Sequence, residues 1–388
     1  MASKDDIQPV PGPALNIPPS DSIVEVSIIN TTTDLVSTTR SYGKPSIPGH
    51  TYSNLPTFAF LLHHVPSGKH VLYDLGARKD WWNWSPKNYK YIMAEQPAIR
   101  VTKNINEVLS DGGFDPDTVD TIIWSHFHFD HTGDASLFPR TTEIVVGEGF
   151  SKAFLPGYPT DPDAAMLDSD VQGHDVREIH FVDELRIGGL RAHDFFGDGS
   201  FYLLDTPGHC PAHMSALART TPDTFVCFGG DICHLASMWR PTQHVPMPST
   251  IPPSVPMDSK FPSSCPCSVF TACHPGPNPR TTPYHQVTDK EGSLYMDPVS
   301  AQNSVDRMKE FDASENVLIC IAHDPGLLPV LDFFPDGMIN DWKAEGYKEA
   351  TAWGFLNEMP VDGKAGRPLL VDGLVRDGKT LRSATEVH

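Results

Sequence analysis

His126-Phe127-His128-Phe129-Asp130-His131 places four side chains able to bind a metal within six residues, directly behind the β-run Thr121-Ile122-Ile123-Trp124. Zinc takes nitrogen from neutral imidazole and oxygen from carboxylate, and these groups meet in a small volume only if the chain turns where the strand ends. Alternate residues of a strand share a face, so His126 and His128 can look the same way. Asp130 and His131, on the loop beyond, can fold back toward a second ion. A histidine-rich surface loop is the bland alternative, and it leaves this spacing at a strand end unexplained.

Three further stretches repeat the pattern of a strand followed by a metal-binding side chain. Asp205-Thr206-Pro207-Gly208-His209 follows the strand candidate Gly199 to Asp205; Gly229-Gly230-Asp231 follows Thr224 to Phe228; Ala322-His323-Asp324 follows Val317 to Ile321. Each has an ordinary reading taken singly, His209 as a turn residue, Asp231 as a helix cap and His323 as a core histidine. In this order, behind the first motif, they form one set.

That set resembles the metallo-β-lactamase superfamily, and the stretch carrying the motifs runs from residue 74 to residue 323. The resemblance implies an α+β fold, a four-layered αββα sandwich with its metals at the edge of two sheets. It implies two zinc ions, the first held by His126, His128 and His209, the second by Asp130, His131 and His323, with Asp231 between them. Manganese, iron or cobalt suit the same donors. Asp74, in Leu72-Tyr73-Asp74-Leu75-Gly76, matches the aspartate that supports a metal histidine from behind. Two cations about 3.5 to 4 Å apart acidify a shared water. The hydroxide would attack a carbonyl carbon, Asp130 orienting it and passing a proton to the leaving group.

Thr206 to Ser215 is similar to the matching stretch of the N-acyl-homoserine lactonases. Those enzymes place a tyrosine three residues after the bridging aspartate; here the position is His234, whose imidazole can donate to an oxyanion in its place. The segment Trp81-Trp82-Asn83-Trp84 and the run from Gly229-Gly230-Asp231 to Arg240-Pro241 resemble long fungal members that open lactam rings such as benzoxazolinones, an activity suited to detoxification. The implied function is hydrolysis of a lactam or lactone, with the three tryptophans as an aromatic wall for a flat ring and residues 235 to 290 completing the pocket. Thioester hydrolysis of the glyoxalase II type, or a mononuclear iron persulfide dioxygenase, are the competing reactions on this fold. His213 is expected behind the metal ligands rather than among them.

Composition narrows the partners. With 49 acidic and 29 basic residues the formal charge is −20, which repels nucleic acid and anionic membranes. No apolar run reaches 18 residues and no signal peptide is evident. Seven irregularly spaced cysteines suggest free thiols in a reducing compartment, the cytoplasm. The 37 prolines predict much loop. Residues 1–20 read as an irregular arm, and 21–388 as one domain with a proline-rich insertion at about 241–290; arm and insertion are candidate contacts of a homodimer.

Among the elements, Val24 to Ile29 alternates as a strand, and Thr57 to His63 with His70 to Asp74 reads as a hairpin. Val101, Ile105, Val108 and Leu109 recur at helical spacing up to Gly112-Gly113. Asp297-Pro298 opens a helix through Val305, Met308 and Phe311.

Overall fold

The computed structural model, which describes residues 6–386, extends the alternation at Val26 and Ile28 into a 14-residue strand, Glu25–Thr38. A register shift between Asn30 and Asp34 bends it against its antiparallel partner Tyr52–His64. That partner turns at 65–68 into Lys69–Tyr73, the hairpin expected from the sequence. Thr121–Ile123, Glu143–Val146 and Val176–Glu178 then add in parallel. On the other edge lie Ala98–Val101 and the C-terminal pair Gly373–Arg376 and Lys379–Ser383, completing a nine-stranded sheet. Val101 thus ends a strand, and the helix predicted from it starts later, at Ile105–Asp111, where the Glu107 carboxylate accepts from the Asn104 backbone N–H at 2.8 Å.

The second sheet has six strands, ordered Val317–Cys320, Thr224–Phe228, Met214–Thr221, Phe201–Asp205, Leu190–Asp194 and Arg186–Ile187. Every pair is antiparallel except the first, which runs parallel. The inner faces of the two sheets meet in one apolar cluster, with Val26, Phe58, Phe60 and Tyr73 from one sheet against Phe201, Met214, Val226 and Leu318 from the other. Phe60 stacks on Phe228 with ring centroids 3.9 Å apart.

Each outer face carries helices. Ile105 and Leu109 cover Leu72, Ile122 and Ile144 on the first sheet. On the second, Pro298–Ala313 lays Ala301, Val305, Met308 and Phe311 over Leu217, Cys227 and Ile319. Asp297 caps that helix, accepting from the N–H groups of Val299 and Ser300 at 3.1 Å. The result is the αββα sandwich, and burial of both faces of each sheet is its main source of stability.

The arm and the proline-rich stretch both fold onto this body. Residues 1–5 lie outside the described residues. From residue 6 onward, Leu15 is buried, its carbonyl accepts from the Gly188 N–H at 2.8 Å, and the Val10 N–H donates to Gln243 O at 2.9 Å. Residues 241–283 bury Met247, Ile251, Val255 and Phe270 in the cluster beneath the second sheet's helix. No helix among the described residues is long and apolar enough to cross a membrane, and all seven cysteines stand as free thiols.

Candidate metal centre

Four strand ends deliver the seven predicted side chains to one place. The loop after Thr121–Ile123 brings His126, His128, Asp130 and His131. His209 follows Phe201–Asp205, Asp231 follows Thr224–Phe228, and His323 follows Val317–Cys320. Donor atoms of His126, His128, His209 and Asp231 lie within 4.8 Å of one another, as do those of Asp130, His131 and His323.

Asp231 joins the two groups through its two oxygens. Oδ2 is 3.5 Å from His126 Nε2 and 3.4 Å from His209 Nε2. Oδ1 is 3.2 Å from His131 Nε2 and 3.1 Å from His323 Nε2. His128 turns its Nδ1 toward His126 Nε2, 2.9 Å away, and His209 Nε2, 2.8 Å away. Asp130 Oδ2 completes the second group, 3.4 Å from His323 Nε2.

The chemistry of this arrangement is that of a divalent-metal site. Although 3.2 Å apart, His131 Nε2 and Asp231 Oδ1 are both buried without a hydrogen-bond partner. A buried polar group without a hydrogen-bond partner is costly unless a cation answers it. Burial pushes the His128 imidazole down to about 4 and those of His126 and His209 well below their ordinary value, helped by neighbouring histidines. These rings stay neutral, the form that binds metal. Burial would also lower His131 and His323, but the surrounding carboxylates together outweigh it and raise both, Asp231, Asp74 and Asp130 at His131 and Asp231 with Asp130 at His323.

A layer of hydrogen bonds holds the donors from behind. Asp74 accepts from the Ser125 N–H at 2.7 Å and lies 2.8 Å from His131 Nδ1 and from Ser125 Oγ, which is 2.9 Å from His126 Nδ1. His213 stands behind the donors, with Nδ1 2.9 Å from Thr206 O and Nε2 accepting from the Asp231 N–H at 3.0 Å. At Gly208, φ is +126° and an added Cβ would sit 2.0 Å from the Ala301 nitrogen. Only glycine lets the His209 loop lie this close to the helix N-terminus.

His234 faces the same centre. Its Nε2 is 3.1 Å from Asp231 Oδ2, its Nδ1 is 3.0 Å from the hydroxyl of Tyr295, and Tyr42 stacks on its ring at 4.0 Å. With Asp231 and His323 it forms a third group of close donors. Ser125 and Tyr295 were not singled out in the sequence. Ser125, next to His126, carried a local signal; Tyr295, 61 residues from His234, carried none.

His128, Asp130, His209, Asp231 and His234 floor a cavity of about 610 Å³. Its walls correct the reading of the pocket: Tyr42, Tyr91, Phe127, Phe129, Phe154 and Met296 line it, and the three tryptophans do not. Trp81 is fully buried, donating from Nε1 to Val375 O at 2.9 Å; Trp84 lies under the Arg78 guanidinium and Trp82 under that of Arg376. They pack against the body of the protein instead. Nor do residues 235–290 reach this cavity; residues 152–165 and 294–296 take that place.

Comparison with known proteins agrees with this geometry. The family model described as the metallo-beta-lactamase superfamily matches residues 54–243. The chain is 39% identical over 360 residues to gamma-lactamase FDB1 of Fusarium pseudograminearum (strain CS3096), covering 90% of this chain and 86% of FDB1. It is 42% identical over 360 residues to cytochrome P450 monooxygenase mpaDE' of Penicillium brevicompactum, covering 89% of this chain but spanning only 39% of that protein. Among solved structures, an N-acyl homoserine lactone hydrolase with the product N-hexanoyl-L-homoserine at its catalytic metal center superposes with a TM-score of 0.55 at 20% identity, over 82% of this chain and 100% of that one. At that identity the likeness bears on the fold alone.

Proposed function

The chain belongs to the metallo-β-lactamase superfamily, and from that premise we propose that it is a two-zinc hydrolase that opens a cyclic amide or ester, a lactam or lactone. The observation carrying this reading is the meeting of two donor groups on the two oxygens of Asp231, at the floor of an aromatic cavity. Similarity to a gamma-lactamase over most of both chains supports the substrate class.

In this reading His126, His128 and His209 hold one zinc, Asp130, His131 and His323 hold the other, and Asp231 bridges. Zinc so held supplies an acidified water and a Lewis acid for the carbonyl. The protein's own groups do the rest. Tyr42, Tyr91 and Phe129 hold a flat ring by its faces and keep bulk water from the floor of the cavity. His234, reaching in from the wall, donates from Nε2 to the carbonyl oxygen as charge develops on it. Asp130 sits where a carboxylate can take the proton of the attacking water and return it to the departing nitrogen or oxygen. The partner is a small molecule rather than nucleic acid, in keeping with the charge of −20, and the free thiols support a reducing, cytoplasmic setting.

Purified protein loaded with zinc should ring-open benzoxazolinone, simple γ-lactams or homoserine lactones, seen as the appearance of the ring-opened acid. It should bind two zinc ions per chain by elemental analysis. Cleavage of thioesters in place of every ring would move the assignment to a glyoxalase II-like reaction, and one iron per chain to a persulfide dioxygenase.

A further inference from the structure

We infer that Tyr295 is a positioning residue, fixing His234 as the tautomer that carries its proton on Nε2. The inference rests on the functional reading above, in which His234 donates to the carbonyl oxygen.

A neutral imidazole has one proton for two nitrogens, so one donates and the other accepts. His234 is buried, with Nδ1 3.0 Å from Tyr295 Oη and Nε2 3.1 Å from Asp231 Oδ2. An ionised carboxylate can only accept. A phenol can do either, and its other contacts decide which. Besides Nδ1, the acceptor the phenol meets among the described residues is Met238 Sδ, 3.8 Å away, a weak and distant one. Burial first, then Cys233 and Asp231, keep this phenol protonated far above neutral pH. Its O–H therefore points to Nδ1, and Nε2 is left as the donor. The opposite tautomer would set the Nε2 lone pair against Asp231 Oδ2.

The surroundings hold this orientation. Tyr42 covers one face of the His234 ring, with the planes 24° apart. The backbone N–H groups of Leu294, Met296 and Asp297 donate to Ser41 O, His209 O and Gly208 O, so the segment is laced to the loop carrying His209. Leu294 and Met296 line the cavity while Tyr295 between them turns to His234. One short stretch thus shapes the substrate wall and sets the donor.

The test uses the full-length, metal-loaded chain with nitrogen-15 in its histidines. The His234 resonances should show a protonated Nε2 and an unprotonated Nδ1, and Tyr295→Phe should redistribute the proton. The same variant should lose roughly 10–100-fold in kcat with KM and metal content unchanged. In a His234→Gln background, where the amide needs no tautomer, adding Tyr295→Phe should cost nothing further.

An unprotonated Nε2 in the parent protein, or loss of metal in Tyr295→Phe, would make His234 a metal ligand and overturn the inference. An equal penalty in the glutamine background would reduce Tyr295 to packing and overturn it too. If no lactam or lactone were turned over, the functional reading would fall, while the Nε2 resonance would still decide the tautomer.

Discussion

Asp74 reaches the metal centre only through other residues, and for that reason it isolates what support is worth. Its oxygens meet Ser125 N, Ser125 Oγ and His131 Nδ1, all within 2.8 Å. Asp74→Asn would put an N–H where a donor now points, so metal affinity or turnover should drop roughly 10–100-fold; chelator competition and kcat/KM measure it, and an unchanged enzyme would refute the role. This residue was legible from its place in Leu72-Tyr73-Asp74-Leu75-Gly76, at the end of a strand. Tyr295 was not, since nothing local to it distinguishes a buried tyrosine that packs from one that orients an imidazole. His50 and His285 give a pH prediction of the opposite kind, away from the centre. Burial holds their imidazoles down to about 4 and about 3. The unfolded chain therefore binds more protons below the ordinary value of 6.5, and the stability they contribute is complete above 6.5 and lost as pH falls through their folded values. The slope for each approaches about 1.4 kcal/mol per pH unit. His285→Gln should flatten the acid side of a urea-stability profile, and parallel profiles would contradict it.

At the level of elements, the sequence revealed strands where one face or a motif marked them. Met214–Thr221 escaped because all but its last residue is buried, which removes the alternation that signals a half-exposed strand. The tryptophan segment misled for a related reason: aromatic residues make either a wall or a core, and composition does not say which. The helix Pro298–Ala313 was plain from Asp297-Pro298, yet its second task, pressing against Gly208, was not. Two substitutions separate these tasks. Asp297→Ala should lower the urea midpoint modestly, by loss of the cap, and leave metal content intact. Gly208→Ala, forcing a Cβ to within 2.0 Å of the Ala301 nitrogen at φ +126°, should cost on the order of 2–3 kcal/mol and shed metal as His209 is displaced. Urea midpoints with elemental analysis distinguish the two, and a metal-replete Gly208→Ala would show that the loop yields.

Across the whole molecule, the donors come from both sheets: His126 to His131 leave the nine-stranded one, while His209, Asp231 and His323 leave the six-stranded one. An ion held by this set would therefore link the two layers at one end. On the two-metal reading, removing the metal with a chelator should lower stability toward urea, by about 2.7 kcal/mol relative to protein held at a free metal concentration 100 times its Kd; an unmoved midpoint would contradict shared ligation. The candidate metal donors ride on strand ends, whereas the cavity walls come mainly from 87–96, 152–165 and 294–296, stretches that carry none of the seven donors. Chemistry and appetite are thus written in different parts of the gene. A lineage can re-carve those three stretches to admit a new ring while inheriting the reactive machinery unaltered, and a mutant library confined to 87–96 and 152–165 is where new selectivities should be sought.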